Sequence, residues 1–377
     1  MNVIFTCGGT GGHINPAIAV ANMIKERNPG CNILFIGAKG HMEEQLVPKA
    51  GYRLECLPGS GLSRGMNLAA LKKNINAVKC VFDAVAQCKQ IIRDFKPDVI
   101  IGTGGYASFP ALYAGSKMGI PTCVHEANAV PGLTTKLVAN RADQVLVCFE
   151  ESKRYYKNPH KVEVVGMPIR REFWETDRIE ARKELGVDEK PLLVSTFGSQ
   201  GAKAMNEMVA ELFVLEQTDG FPFHHIHAVG SYGWKWMPQL VKEKGVDLDK
   251  CPSIDMREYI YNMPTVLAAA DVVIGRAGSG TCNEIAAAAT PCVLIPSPNV
   301  TNNHQEKNAR VLESGGGAVV LLEQDCTPQK LYAQIKMLLA DSQRSKEMRE
   351  NLKKMAVPDS ADRICRIAEQ LAQKNTK

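Results

Sequence analysis

Short apolar runs recur along the chain, separated by longer stretches with helical periodicity. In the first half the runs are Asn2–Cys7, Cys31–Ile36, Asp98–Ile101, Pro121–His125 and Gln144–Cys148. They are apolar at consecutive positions and do not alternate, as expected of parallel strands covered by helices on both faces. Helical stretches fall between them, among them Pro16–Arg27, Leu68–Phe95 and Leu133–Asn140. Strand and helix in alternation predict a doubly wound α/β domain.

The pattern then restarts. Pro191–Phe197 is a new apolar strand followed by a glycine turn and a helix, and further strands are expected at His225–Val229, Asp271–Ile274, Cys292–Ile295 and Ala318–Leu322. A seam near Gly166-Met167-Pro168, followed by the polar stretch Glu172–Glu189, divides the chain into domains over residues 1–166 and 167–357. The last helical segment, Ser360–Gln373, has no strand after it and is expected, as part of 358–377, to pack back on the first domain. The halves share architecture without a close internal repeat.

Composition narrows the class. With 377 residues the chain has length for two domains, and 45% apolar residues mark it as globular. A net charge of +5 is too small to argue for a nucleic-acid partner. The twelve cysteines include no C-x-x-C pair and sit mostly in apolar runs, as at Cys7, Cys31, Cys123 and Cys292, which predicts reduced, buried thiols in a cytosolic protein. No basic leader precedes the first strand, and no apolar run approaches the ~20 residues of a membrane span, so any membrane contact is expected to be peripheral.

The candidate chemistry lies in glycine turns that follow strands. Gly8-Gly9-Thr10-Gly11-Gly12-His13 comes directly after the first strand, with Asn15 placed as helix N-cap and Pro16 as first helical residue. Such a turn lets backbone N–H groups approach a phosphate at a helix start. The competing reading is a tight turn that needs glycine for its backbone angles, but four glycines in five residues exceed that need. His13 is the imidazole inside this loop and a candidate general base, with Glu126 at a neighbouring strand end as its rival, or else a loop-packing residue. Gly102-Thr103-Gly104-Gly105-Tyr106 repeats the arrangement after the strand at Asp98–Ile101. His125-Glu126-Ala127-Asn128 ends another strand on the same rim, where Glu126 or Asn128 would position a sugar hydroxyl or simply form a strand-end turn.

In the second half, Gly198-Ser199-Gln200-Gly201 is again a strand-to-helix turn suited to phosphate. Arg276-Ala277-Gly278-Ser279-Gly280-Thr281 leads to Glu284, which reads either as the partner of Thr281 in a capping box or as a carboxylate for ribose hydroxyls. Asn302-Asn303-His304-Gln305-Glu306 opens a polar helix. Two features imitate metal sites. Asp247-Leu248-Asp249 lies in a charged stretch and reads as a solvated turn, while His224-His225-Ile226-His227 has no carboxylate or cysteine near in sequence and reads as a strand edge. No metal site is expected. Along Leu68–Phe95, Leu71, Ile75, Val78 and Phe82 form an apolar stripe beside Lys72, Lys73 and Lys79, which by itself favours packing on a core.

Six of these motifs, Gly8–His13 with Pro16-Ala17, Gly102–Tyr106, His125–Asn128, Gly198–Gly201, Arg276–Glu284 and His304–Ala309, occur in one order and spacing over nearly the whole chain. In that order the sequence resembles the peptidoglycan UDP-N-acetylglucosamine transferases that act on lipid I, the MurG family. Ala127 stands where that family commonly has glutamine, and Met167 where it commonly has asparagine. The resemblance implies a GT-B fold, two Rossmann-like parallel-sheet domains facing a cleft, and an inverting transfer of GlcNAc from UDP-GlcNAc to the C4 hydroxyl of MurNAc. It implies that Glu284 binds the ribose, Ile260 the uracil, Gln305 the sugar hydroxyls, and Ser199 and Arg170 the diphosphate, with Ser279, Gly280 and Thr281 in the same donor site. Thr10, Gly11, Gly12 and Asn128 would complete the sugar site, while Gly8, Gly9, Gly104, Gly105 and Tyr106 would face the acceptor diphosphate. It implies no cofactor, no metal, a lipid-linked acceptor and a place on the cytoplasmic face of the membrane, which turns the Leu68–Phe95 stripe into an expected contact with anionic lipid. Other acceptors, a UDP-GlcNAc 2-epimerase of the same architecture, and a nucleotide-sugar binding protein without catalysis are the alternatives.

Overall fold

The computed structural model describes residues 1–58 and 68–375, the side chains of 68–78 and 375 excepted. The chain forms two compact units, Met1–Ile169 together with Asp359–Lys377, and Arg170–Pro358.

The first unit runs β1 (Asn2–Thr6), α1 (Gly11–Arg27), β2 (Asn32–Ala38), α2 (Glu43–Lys49), β3 (Arg53–Leu57), α3 (Leu68–Phe95), β4 (Val99–Gly102), α4 (Ser108–Lys117), β5 (Thr122–Glu126), α5 (Leu133–Ala139), β6 (Gln144–Val147) and β7 (Val162–Val164). The second runs α6 (Glu172–Glu175), α7 (Arg178–Glu184), β8 (Leu192–Thr196), α8 (Lys203–Thr218), β9 (His224–Ala228), α9 (Met237–Glu243), β10 (Ile254–Arg257), α10 (Met263–Ala269), β11 (Val272–Gly275), α11 (Ser279–Ala288), β12 (Cys292–Leu294), α12 (His304–Ser314), β13 (Ala318–Val320), α13 (Pro328–Ala340) and α14 (Ser342–Met355). The last helix, α15 (Ser360–Asn375), belongs to the first unit.

Every strand pair is parallel. The seven-stranded sheet has the order β3-β2-β1-β4-β5-β6-β7, and the six-stranded sheet the order β10-β9-β8-β11-β12-β13. In both the order reverses beside the first strand, at β1/β4 and at β8/β11, the switch point where open α/β sheets bind ligands. The inner strands are buried on both faces. Val3, Ile4 and Phe5, and Leu192, Leu193 and Val194, are all fully inaccessible, which is why these runs read as continuously apolar. In α15, Ile364, Cys365, Ala368 and Leu371 join the β1–α1 core, and Arg27 pairs with Asp362. Burying one such Ile or Leu contributes about 1.5–3 kcal/mol.

Several expectations need correction. Helix α1 starts at Gly11 with Thr10 as N-cap, not at Pro16 with Asn15 as cap. The Thr10 carbonyl takes the N–H groups of His13 and Ile14, so the helix is under way before proline is reached. Likewise α11 begins after Gly278, which has no side-chain cap, so Thr281 and Glu284 are not a capping box. The histidine strand β9 is not an edge, because β10 pairs outside it. Its histidines also have a carboxylate. His225 Nδ1 lies 2.8 Å from Glu216 of α8, and Ser195 Oγ lies 2.7 Å from both His225 Nε2 and His227 Nδ1. This cluster is fully buried, and burial together with His225 pushes the His227 pKa down to about 3, so His227 packs there as a neutral imidazole. Asp247 pairs with Lys250 at 2.8 Å in an exposed turn. Among the described residues no group of three His, Cys, Asp or Glu could hold a metal ion, no helix is long and apolar enough to cross a membrane, and no disulfide forms. The side chains of Leu71, Lys72, Lys73, Ile75 and Val78 lie outside the described residues; farther along α3, Lys79 is exposed and Phe82 is 70% exposed.

Candidate functional site

The first unit assembles its candidate residues at the carboxyl ends of β1, β4 and β5. Thr6 is level with Gly102, and Gly102 with Val124, so the turns after these strands share one rim. The two glycine turns touch. Gly105 has φ +84°, and a Cβ there would lie 2.2 Å from the Gly8 carbonyl oxygen. A Cβ at Gly104 would lie 2.8 Å from His13 Nδ1. Glycine at both positions is therefore a requirement of packing as well as of backbone angle.

His13 is the third residue of α1 and is half-buried. Its Nδ1 is 2.9 Å from the Thr103 carbonyl, and the Thr103 hydroxyl donates to the His13 carbonyl at 2.6 Å. A carbonyl only accepts, so Nδ1 carries the proton and Nε2 is the basic nitrogen of the neutral ring. The helix start also disfavours an imidazolium. At Gly11 and Gly12 the N–H groups of the first helical turn have no acceptor among the described residues, as an anion site requires. Gly9 differs: its N–H is taken by the buried carboxylate of Glu43.

Glu126 is buried and its carboxylate accepts from Asn128 N, Asn128 Nδ2, Gly132 N and Thr135 Oγ1 at 2.6–3.1 Å. Four donors fill its lone pairs and fold the segment that presents Asn128. The neighbouring His125 donates Nε2–H to the Gly166 carbonyl at 2.9 Å, and burial holds its pKa below the ordinary histidine value.

In the second unit, Glu284, Thr281, Ile260 and Ser199 line one 160 Å³ cavity with Thr196, Gly198, Tyr259 and Met263. It opens at the carboxyl ends of β8 and β11, against the start of α11. Glu284 is in the second turn of α11, half-buried, and receives no hydrogen bond from any described residue. Burial raises its pKa, and Arg170 opposes that shift. Arg170 stands exposed, its guanidinium 5.3 Å from the Phe173 ring centre. Ser279 and Gly280 form the first turn of α11 beside the cavity. Gln305, on α12, uses its carbonyl oxygen to accept from Ser297 N at 2.9 Å, so its NH2 faces other partners. Tyr259 and Met263 escaped the sequence reading because neither belongs to a glycine turn; only their nearness to Ile260 marks them.

A larger cavity of 570 Å³ lies between the start of α8 and the ends of β12 and β13, lined by Met205, Met208, Pro296, Glu306 and Glu323 among others. Its two acids already have cations: Glu306 lies 3.6 Å from Arg310, and Glu323 lies 2.6 Å from Arg276. Size alone does not make it the site, since the carboxylate awaiting a donor is Glu284.

Residues 3–147 match the glycosyltransferase family 28 N-terminal domain, and residues 192–364 its C-terminal domain. The chain is 41% identical to a UDP-N-acetylglucosamine–N-acetylmuramyl-(pentapeptide) pyrophosphoryl-undecaprenol N-acetylglucosamine transferase of Acetivibrio thermocellus, over 97% of both chains. It is 38% identical to a transferase of the same name from Bacillus cereus, over 99% of this chain and all of that one. A solved MurG structure from Acinetobacter baumannii superposes with a TM-score of 0.78 at 25% identity, covering 98% of this chain and 99% of the other.

Proposed function

The chain belongs to glycosyltransferase family 28, with two parallel-sheet α/β units of the GT-B type, and from that premise we propose that it moves GlcNAc from UDP-GlcNAc to the C4 hydroxyl of MurNAc in lipid I. The observation that carries this reading is Glu284, a half-buried carboxylate with no donor among the described residues, beside a helix start and a cavity at the sheet's switch point. A ribose offers two adjacent hydroxyl donors, the complement of a carboxylate with unused lone pairs.

In this reading Ile260 packs on the uracil and Glu284 takes the ribose. Ser199, Arg170 and the first-turn amides at Ser279, Gly280 and Thr281 hold the diphosphate, and the Gln305 NH2 meets sugar hydroxyls. The turns at Gly8–His13 and Gly104–Tyr106 serve the acceptor diphosphate, with Asn128 on the same rim. His13 Nε2 accepts the proton of the C4 hydroxyl as its oxygen attacks C1. The C1–O bond to the diphosphate breaks, its electron pair goes to UDP, and the configuration at C1 inverts. Helix-start amides and Arg170 stabilise the charge that develops on the leaving diphosphate, so the step needs no metal. Glu126 does not act as the base here, because its lone pairs hold the loop that carries Asn128. A lipid-linked acceptor places the enzyme at the cytoplasmic membrane face, with exposed Lys79 and Phe82 of α3 among its contacts with anionic lipid.

The test is acceptor-dependent release of UDP from UDP-GlcNAc. Release that requires lipid I supports the reading. Equal release without acceptor, or conversion of the donor to UDP-ManNAc, would replace transfer by hydrolysis or epimerisation.

A further inference from the structure

Glu43 is the first residue of α2 and is completely buried, yet among the described residues no basic side chain pairs with it. Its carboxylate only accepts. Oε1 and Oε2 share the N–H of Gly9, at 3.1 and 3.2 Å, and Oε1 also takes the N–H of Ala38 at 3.1 Å. Burying an anion without a cation is costly, and a space-filling side chain would avoid the cost.

The surrounding glycines show what the anion is fitted to. A Cβ at Gly37 would lie 2.5 Å from Glu43 Cγ, and a Cβ at Gly8 would lie 3.0 Å from Glu43 Oε1. On the far side, a Cβ at Gly105 would meet the Gly8 carbonyl oxygen at 2.2 Å. Gly37, Glu43, Gly8 and Gly105 thus form one stack, in which a methyl group would collide at Gly37 and Gly105 and press on the carboxylate at Gly8. The Gly8–Gly9 turn is clamped between a carboxylate and a second backbone turn, and Gly9 is held at φ +87°.

We propose that Glu43 is a positioning residue for the acceptor side of the reaction. By occupying the Gly9 amide it removes that donor from the anion site and fixes the turn that leads into α1. Recognition of the acceptor diphosphate then falls on the amides of Gly11 and Gly12, which have no acceptor among the described residues. The carboxylate also places a fixed negative charge beneath the Gly9 end of the turn, which directs a phosphate toward the helix start. This rests on the reading that the Gly8–His13 turn faces the acceptor diphosphate.

The experiment is steady-state kinetics of the full chain with a soluble lipid I analogue and UDP-GlcNAc, varying each substrate in turn. Glu43→Gln keeps the shape but offers one acceptor oxygen where two are used. It should raise the acceptor KM about tenfold, the order of one charge-assisted hydrogen bond, and leave the donor KM within twofold. Gly37→Ala perturbs the same carboxylate from behind, away from the turn, and should show the same split; it carries the test if Glu43→Gln does not fold. An acceptor KM within twofold of the parent in a folded variant, or equal rises for both substrates, would overturn the proposal. The binding assignment fails separately. If inorganic pyrophosphate does not inhibit the parent competitively against the acceptor, the diphosphate site lies elsewhere. Hydrogen exchange over residues 5–14 then still reports whether Glu43 holds the turn.

Discussion

Replacing Glu284 by Gln should act in opposite directions on stability and on nucleotide binding. The carboxylate is half-buried, lacks a donor among the described residues and has its pKa raised chiefly by burial, with Arg170 offsetting part of that shift. A carboxyl group whose pKa is higher in the folded protein than in the unfolded chain binds more protons when folded. Stability therefore falls as pH rises from the unfolded value through the folded one, and the penalty is complete once the carboxyl is ionised in the folded protein. The neutral amide removes it. With nucleotide absent, Glu284→Gln should raise the melting temperature of the Arg170–Pro358 unit, by about 2–4 °C for each 1 kcal/mol recovered in a domain of this size. Binding should respond the other way. Hydrogen bonds to a charged group contribute about 1.5–3 kcal/mol, so UDP affinity should fall by roughly 10- to 150-fold. Parent affinity should also weaken as pH drops through the raised Glu284 pKa, and the variant should lose that dependence. Calorimetric titration with UDP over a pH series, paired with thermal melts, reads both quantities. Unchanged UDP affinity together with an unchanged or lower melting temperature would refute the argument.

His13→Ala should lower turnover by about 10²–10⁴-fold, with little change in donor affinity and loss of the acidic limb of the pH–rate profile; a variant that loses only donor affinity would make His13 a binding residue. Triple substitution of Lys72, Lys73 and Lys79 by Ser should weaken binding to anionic vesicles, each lysine contributing about 1 kcal/mol near such a surface, while UDP-GlcNAc affinity stays the same; equal vesicle binding would return α3 to ordinary packing. Turnover should survive exhaustive chelation, and loss with EDTA reversed by a divalent ion would contradict a metal-free step.

The inner strands were legible because burial on both faces leaves uninterrupted apolar runs. The three strands missed, β3, β7 and β10, are all sheet edges. Arg53-Leu-Glu-Cys-Leu and Ile254-Asp-Met-Arg carry charge on an exposed side, and Val162–Val164 is three residues long, so none resembles a buried strand. The glycine turns were visible as composition, but not the partners of their amides. Glu43 lies 34 residues from Gly9, and nothing local announces that it is buried beneath that turn. Glu126 could be read as a base because its four donors are set by the fold of the following loop. At Glu284 the spacing to Thr281 imitates a cap, and only the helix start at Gly278 shows that the carboxylate has no such task.

The most direct test of transfer to lipid I is the identity of the product. The parent enzyme, given UDP-GlcNAc labelled in the sugar and lipid I in detergent, should move the label into the lipid fraction with one UDP released per sugar transferred. Proton NMR of the purified lipid should show a single β-linkage from GlcNAc C1 to the MurNAc C4 oxygen. Label that stays water-soluble while UDP accumulates, or a linkage at another hydroxyl or with retained configuration, would contradict the account.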